Sequence, residues 1–389
     1  MTAPTPAPSP APSGGRPRWL VMATHVPASG RLGGIVRYTV ELARALQRRD
    51  DVEVHLLTSA AAAGPLAELV GGPARVHAVP AVLDGRAGPL LPPYERFVLG
   101  WRLRGGFDVV HGSKHLVPQR APGFAARTAL TVHDMILADR PADFPTAKRV
   151  LLQRPYAASI RQADAVVCVS AATRDRLLAH HPQVAPRTSV VLSATSPALL
   201  QAQPTPVEVL AGRRFGLVVG DTTQRKNVAT AVSAWARALR AHPEHADAVL
   251  ALVGPPAWGT EAYGPDHAAL AASGHVVQLQ GVDDAALRWC YENAAVVLAP
   301  SLVEGFGLPA VEALDLGAPL VTSTDAALVE VSGDRALHVP ALDVDGWARA
   351  VADHLRPDAP RRAASAPPAP ARTWDDVAED TVRAVLHRR

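Results

Sequence analysis

Short apolar runs alternate with helical stretches along this chain, and the alternation runs out and starts again near residue 200. Residues 19–24 form a strand-like run, followed by a loop holding Gly30, Gly33 and Gly34. Residues 35–47 then have helical periodicity, with Ile35, Tyr38, Leu42, Ala45 and Leu46 on one face, and 52–57 is the next strand. Short continuous apolar runs suit strands covered on both faces, and a three-to-four-residue apolar period suits a helix lying on them. Strand, loop, helix and strand in that order open a doubly wound parallel sheet. Residues 107–111, 128–132, 165–170 and 189–192 continue the first half, with helical stretches at 148–162 and 171–180. Residues 215–219 restart the pattern. The strands 250–253, 276–279, 295–299 and 320–323 follow, with helices at 228–241, 284–293, 308–316 and 344–355. The expected class is α/β: two Rossmann-like domains facing each other across a cleft.

The boundaries come from composition. Residues 1–17 are rich in Pro, Ala and Ser and are expected to be a disordered tail. The first domain is expected at 18–198 and the second at 199–372. The segment 199–206 is taken as the linker because Pro197, Pro204 and Pro206 crowd it. Residues 373–389 read as a terminal helix beyond a proline-rich stretch, expected to pack back toward the first domain. Two cores need apolar residues, and 48% of the chain supplies them. The start of the chain lacks the charged and apolar regions of a signal peptide, and no apolar run nears the 18 residues of a membrane span. Cys168 and Cys290 have no metal-ligand spacing, so a reduced, cytoplasmic location is expected. Residues 1–195 carry 23 Lys and Arg against 13 Asp and Glu, and the remainder carries 16 against 23. A basic half suits an anionic acceptor or peripheral contact with the anionic inner face of a membrane. The basic residues are dispersed and lack an aromatic platform, which argues against nucleic acid as a partner.

The chemistry gathers at the ends of the apolar runs. After the run 295–299 comes Ser301-Leu-Val-Glu-Gly-Phe-Gly-Leu-Pro-Ala-Val-Glu312. Gly305 and Gly307 permit close backbone approach, and Pro309 fits the first turn of a helix whose N-terminus favours an anion. Glu304 stands before that turn and Glu312 within the helix. Carboxylates do not bind phosphate, so their expected partners are hydroxyls, those of a hexose and a ribose. Arg225 and Lys226 follow the strand 215–219, at the edge where such sheets bind ligands, and suit phosphate oxygens. Gly33 and Gly34 precede the helix at 35, where main chain can approach a diphosphate. His133 and Asp134 end the strand 128–132. His111 and His115 flank Gly112-Ser-Lys114 without a third ligand at metal spacing, so no metal is expected. Asp343 and Asp345 stand at a helix start, where capping is the expected role.

Together these pieces resemble the retaining glycosyltransferases of family 4, the group 1 enzymes with the GT-B fold and an E-x7-E motif. The likeness runs from Trp19 to Leu355. It rests on Gly33-Gly-Ile-Val-Arg-Tyr38, Thr131-Val-His-Asp134, Val169-Ser170 with Arg174, Val219-Gly220 through Arg225-Lys-Asn227, Glu304 to Glu312, and Val329 to Leu337. The resemblance implies transfer of a hexose from a nucleoside diphosphate sugar to a hydroxyl of a saccharide, glycolipid or small molecule, with retained configuration and without metal or cofactor. On that template Arg225 and Lys226 take the diphosphate, Glu304 contacts the donor sugar, and His133 lies near it. Gly33, Gly34, Phe306, Gly307, Leu308 and Glu312 complete the donor site, with Glu312 on the ribose, and Asp134 and Arg37 stand on the acceptor side. GDP-mannose is favoured over a UDP-sugar. Val36, where many members have glycine, and the stretch Ser193-Ala-Thr-Ser-Pro197, where many have Asn-Gly, depart from the family pattern. An epimerase or phosphorylase on the same scaffold, or a sugar-nucleotide-binding protein without catalysis, are the alternatives.

Overall fold

A computed structural model describes residues 15–29, 33–72, 74–83, 90–103, 105–141, 144, 146–255, 263–359 and 371–387. Almost all of the Pro-rich tail expected at 1–17 lies outside the described residues. The chain forms two units.

The first unit comprises residues 1–169, 173–192 and 374–389. Its strands are β1 (Arg18–Met22), β2 (Glu53–Thr58), β3 (Arg75–Ala78), β4 (Val109–Gly112), β5 (Arg127–Val132), β6 (Ala165–Cys168) and β7 (Thr188–Val190). They pair in parallel in the order β3-β2-β1-β4-β5-β6-β7. Chain order reverses between β1 and β4, and crevices at such switch points, beyond the carboxyl ends of the strands, are where α/β sheets bind ligands. The helix Gly34–Arg48 buries Tyr38, Leu42, Ala45 and Leu46 of the stripe its periodicity predicts, and Ile35, at the start of that stripe, is half-buried. The terminal helix Trp374–Leu386 belongs to this unit. Trp374 is buried edge-on against Tyr38, with ring centroids 5.5 Å apart. Arg48 Nη2 meets Asp375 Oδ1 at 2.6 Å. Burial of a large aromatic anchors such a helix more firmly than the exposed ion pair.

The second unit comprises residues 170–172 and 193–373. Its strands are β8 (Phe215–Val219), β9 (Val249–Val253), β10 (Val276–Leu279), β11 (Val296–Ala299), β12 (Leu320–Ser323) and β13 (Leu337–Val339). They are parallel in the order β10-β9-β8-β11-β12-β13, so the switch point lies between β8 and β11. Trp235, on the helix Val228–Ala241, is fully buried over β8. A Cβ on Gly216 of β8 would stand 2.5 Å from its ring, so glycine is what lets helix and sheet approach there.

Two details differ from the sequence reading. The segment 199–206 is not an extended linker: Pro197–Gln201 is a helical turn, and Leu199 is buried beside Leu210 and Phe215. The passage between units falls after Leu192. The prolines suggested a spacer, but Pro197 stands in the first turn of a helix, where its missing N–H costs nothing. The edge strands β3 and β13 were not anticipated; each is short and partly exposed, so its apolar signal is weak.

Candidate active site

The second unit's switch point is built from two loops. The loop after β8 ends in a single turn, Gln224–Lys226, and Asn227 follows in the left-handed region with φ of 54°. Among the described residues it is the sole non-glycine with positive φ. Its side-chain amide donates to the Pro300 carbonyl at 3.0 Å and the Ala341 carbonyl at 2.7 Å, and its oxygen accepts from Thr230 at 2.9 Å. The Leu302 N–H also donates to the Arg225 carbonyl at 2.8 Å. These bonds lace the β8 loop to the β11 loop and fix where Arg225 and Lys226 stand. The strain of a left-handed residue, about 1–3 kcal/mol, is tolerated where the surroundings over-determine it.

Glu304, on the β11 loop, is 7% exposed. Its Oε1 accepts from Lys226 Nζ at 2.6 Å and Ser301 Oγ at 2.7 Å, and its Oε2 lies 3.4 Å from Arg225 Nη1. Burial by itself would raise this carboxyl, but the Lys226 and Arg225 charges, with hydrogen bonds from Lys226 and Ser301, outweigh it and hold it near 2. Arg225 Nη2 reaches Asp221 Oδ2, also at 3.4 Å. Lys226 thus makes the shorter bond to Glu304, and the Arg225 contacts to Glu304 and Asp221 are at the long limit of a hydrogen bond. The β11 loop is held in turn by Asp325: its Oδ1 accepts from the Glu304 N–H at 3.3 Å and caps the helix Ala326–Ser332 through Ala327 N–H at 3.1 Å.

Gly307 sits at the N-cap of the helix Leu308–Asp315 with φ of 93°, and a Cβ there would stand 2.6 Å from Leu328 Cδ2. Glycine is therefore required for both conformation and space. Gly307, Lys226, Glu304 and Pro309 line one pocket, so the lysine, the carboxylate and the helix N-terminus converge there, with Arg225 reaching the same carboxylate. Phe306 is buried beside them. Glu312 does not line this pocket. It is 5% exposed one turn into the helix, where its Oε2 accepts from the buried phenol of Tyr291 at 2.7 Å.

The remaining sequence candidates lie in the first unit. Gly33 caps the helix Gly34–Arg48 with φ of −79°, and a Cβ there would meet nothing within 4 Å. Among the described residues nothing crowds position 33, so its glycine is not explained by packing. Arg37 stands in the first turn of that helix. His133 Nε2 lies 2.8 Å from the Ser113 carbonyl, and the edge of Tyr38 packs on its ring. Burial lowers its pKa to about 4, so His133 is neutral and donates from Nε2. Asp134 caps the short helix Ile136–Asp139 through the Ile136 N–H at 3.1 Å. Asp343 caps the helix Val344–Leu355 by accepting from Gly346 N–H.

Several residues of these sites went unassigned from sequence. Asp221 and Ser301 sit inside the quoted motifs, where small polar residues near glycines read as turn formers, and Asp325 lies between two of the motifs, after β12. Tyr291 is on another helix, and nothing in the sequence marks it as Glu312's partner. In the first unit a cavity of about 230 Å³ opens among Thr24, His25, Glu95, Ser113 and Lys114. Glu95 is 8% exposed and accepts from the Thr24 hydroxyl. Burial pushes its carboxyl up to about 7, against the pull of Thr24 and Lys114. The available signal was one charged pair, Glu95-Arg96, inside the apolar run 90–103.

Comparison with known proteins follows the same division. The family model described as Glycosyltransferase Family 4 matches residues 32–194, and that described as Glycosyl transferases group 1 matches residues 213–356. The O-antigen chain mannosyltransferase B of Escherichia coli is 27% identical over 294 residues, covering 73% of this chain and 76% of that protein. The D-inositol 3-phosphate glycosyltransferase of Salinispora tropica is 29% identical over 381 residues, 87% of this chain and 77% of that one. In three dimensions the chain is similar to a sucrose-phosphate synthase from Thermosynechococcus elongatus, with a TM-score of 0.62 at 19% identity over 95% of each chain. Two parallel-sheet Rossmann-like units, the paired charges at the second switch point and the two family models agree: the chain belongs to the family 4, group 1 glycosyltransferases and has the GT-B fold.

Proposed function

We propose that the chain is a retaining, metal-independent hexosyltransferase that binds a nucleoside diphosphate sugar on its second unit and an acceptor on its first. The observation that carries the donor site is the convergence of Arg225, Lys226 and Glu304 with the N-terminus of Leu308–Asp315 at the switch point. Glu304 stays ionised and pins the Lys226 ammonium, and Arg225 beside it supplies a second cation for an entering diphosphate. Backbone N–H groups at the helix N-terminus add a partial positive charge. Glu312, oriented by Tyr291, takes the ribose, and hydroxyls of the donor hexose reach Glu304.

In the transfer, the bond from the anomeric carbon to the diphosphate oxygen breaks while the acceptor oxygen bonds to the same carbon on the same face. The acceptor's proton passes to the departing phosphate, whose charge Arg225 and Lys226 stabilise. No pair of carboxylates of the glycosidase type is needed. GDP-mannose is the favoured donor, supported by the likeness to a mannosyltransferase, with a UDP-sugar second. A screen of nucleotides and nucleotide sugars by thermal unfolding tests this: the right ligand at a hundredfold excess over its Kd adds about 2.7 kcal/mol to stability. If no nucleoside diphosphate raises Tm, the donor reading fails. Product formed in the presence of chelator, with its anomeric configuration read by NMR, checks the rest; loss of turnover or an inverted product would contradict it.

The acceptor reading extends to a saccharide or lipid-linked one, handled at an anionic membrane surface. Phe97, Val98 and Trp101 are 54%, 43% and 54% exposed on the segment that also carries Arg102. Exposed apolar groups beside cations suit the interface of an anionic bilayer. Among the described residues no helix is long and apolar enough to cross a membrane. Flotation with phosphatidylglycerol vesicles is expected to carry the protein, and a Phe97→Ser, Trp101→Ser variant is expected to stay behind. Absence of binding to anionic vesicles would end this part of the reading.

A further inference from the structure

The cavity of the first unit holds a buried carboxyl group that the donor chemistry does not use. It opens at the carboxyl ends of β1 and β4, the switch point of the seven-stranded sheet. Thr24 and His25 come from the loop after β1, and Ser113 and Lys114 from the loop after β4. Glu95 enters from a π-helical turn, Tyr94–Val98, a local irregularity frequent at functional sites. That turn is fixed from behind. Arg96 donates to the Val117 carbonyl at 3.1 Å and to Gln162 Oε1 at 2.8 Å, and Gln119 N–H donates to the Arg96 carbonyl at 2.7 Å. Glu95 Oε1 accepts from Thr24, and Oε2 bonds no described residue although the side chain is more than nine-tenths buried.

The lining limits what fits. An anionic ligand would face the Glu95 carboxylate, and a cation would face the Lys114 ammonium. A hydroxyl satisfies both, because it donates to one and accepts from the other. Burial, and after it the nearby Lys114 charge, keep His25 neutral, with a pKa near 3, and its Nε2 lies 3.1 Å from Thr39 Oγ1, so it adds no charge to the cavity. Met22, Leu91, Leu116 and Leu152 supply apolar wall for the C–H face of a ring. A space of about 230 Å³ is below the roughly 300–1,000 Å³ of drug-sized sites and suits one six-membered ring.

We infer that this cavity is the subsite for the acceptor's sugar, and that Glu95 determines its specificity by accepting a hydroxyl proton from a single six-membered polyol ring. The inference rests on the proposal that the first unit takes the acceptor. It is tested with the full chain, saturated with whichever nucleoside diphosphate raises Tm, so that the donor site is filled. Methyl α-D-mannopyranoside and myo-inositol serve as probes, followed by saturation-transfer NMR. At least one is expected to bind, and Glu95→Gln and Glu95→Ala are each expected to weaken it tenfold or more. The nucleotide-induced rise in Tm is expected to stay at its wild-type value in both variants, which verifies their folding. Failure of both probes to bind, or undiminished binding by both variants, overturns the inference. If no nucleotide shifts Tm, the donor reading fails by itself, because the NMR experiment still reports on the cavity.

Discussion

Two buried glutamates stand at the switch points of two parallel sheets, and the protein treats them in opposite ways. Glu304 is met by Lys226 at 2.6 Å, by Ser301 at 2.7 Å and by Arg225 at 3.4 Å, and is held ionised near 2. Glu95 is met by one threonine hydroxyl, with Lys114 acting only through its field, and is pushed up to about 7. Their exposures, 7% and 8%, are nearly the same. Burial therefore does not decide the protonation state. A cation in direct contact decides it, because desolvation of a carboxylate is offset only by charge or hydrogen bonds at close range. A carboxylate that never titrates suits the task of fixing cations beneath a diphosphate. One that receives a single neutral hydrogen bond keeps an oxygen for a hydroxyl ligand.

The sharpest way to break this contrast is to remove the cation that makes it. Lys226→Ala takes from Glu304 its shortest charged contact and deletes one preorganised stabiliser of the leaving diphosphate. Turnover is expected to fall by about 10²–10³, the loss typical of removing one such donor, or about 3–4 kcal/mol of barrier. The measurement is transfer from the nucleotide sugar identified by thermal shift, with circular dichroism as the check on folding. A folded Lys226→Ala protein with near-normal turnover would remove Lys226 from the mechanism.

The second site was legible in sequence because its parts lie next to one another along the chain. Arg225 and Lys226 follow directly on β8, and Glu304 through Leu308 follow directly on β11, so strand position alone puts them at one edge. What the sequence could not convey is the ion pair itself, which joins residues 78 positions apart. The same limit hid Tyr291, whose bond to Glu312 spans two helices. The first unit shows the opposite case. Its sheet was legible from β1, β2, β4, β5, β6 and β7, but its cavity draws on the stretch 90–103, whose π turn follows no regular apolar period. Periodicity finds residues that face a core in regular elements; Glu95 faces a cavity from an irregular one.

The contrast also predicts opposite pH dependences of stability. Glu304 has a folded pKa of about 2 against an ordinary 4.5, so its contribution is present above 4.5 and is lost as pH falls toward 2. Glu95 has a folded pKa of about 7 against 4.5, so the folded state binds the extra proton and stability falls as pH rises from 4.5 to 7. Each gap corresponds to at most about 3.5 kcal/mol, at roughly 1.4 kcal/mol per pH unit. Relative to wild type, Glu304→Gln is expected to be destabilised at neutral pH and to converge with it as the pH nears 2. Glu95→Gln is expected to match wild type near pH 4.5 and to exceed it above 7. Urea midpoints of the three proteins across this range make the comparison. Parallel wild-type and variant curves would show that neither carboxyl carries the linkage assigned to it.

The smallest effect concerns a carboxylate held by a neutral donor within the second unit. Glu312 is 5% exposed, and Tyr291, itself fully buried, donates to its Oε2 at 2.7 Å. If Glu312 takes the ribose, the phenol's part is to set the carboxylate's direction, without any contact with the nucleotide. Tyr291→Phe keeps the ring that packs beside Phe215 and Leu217 in the same core and removes only the hydroxyl. Loss of one such bond is worth about 1 kcal/mol, or about fivefold in an equilibrium constant. Calorimetry is expected to show nucleoside diphosphate affinity weakened by about that factor, and Glu312→Ala is expected to weaken it considerably more. Equal losses in the two variants would mean that the hydroxyl, and not the carboxylate it orients, is what the nucleotide feels; unchanged affinity in both would take the ribose away from Glu312.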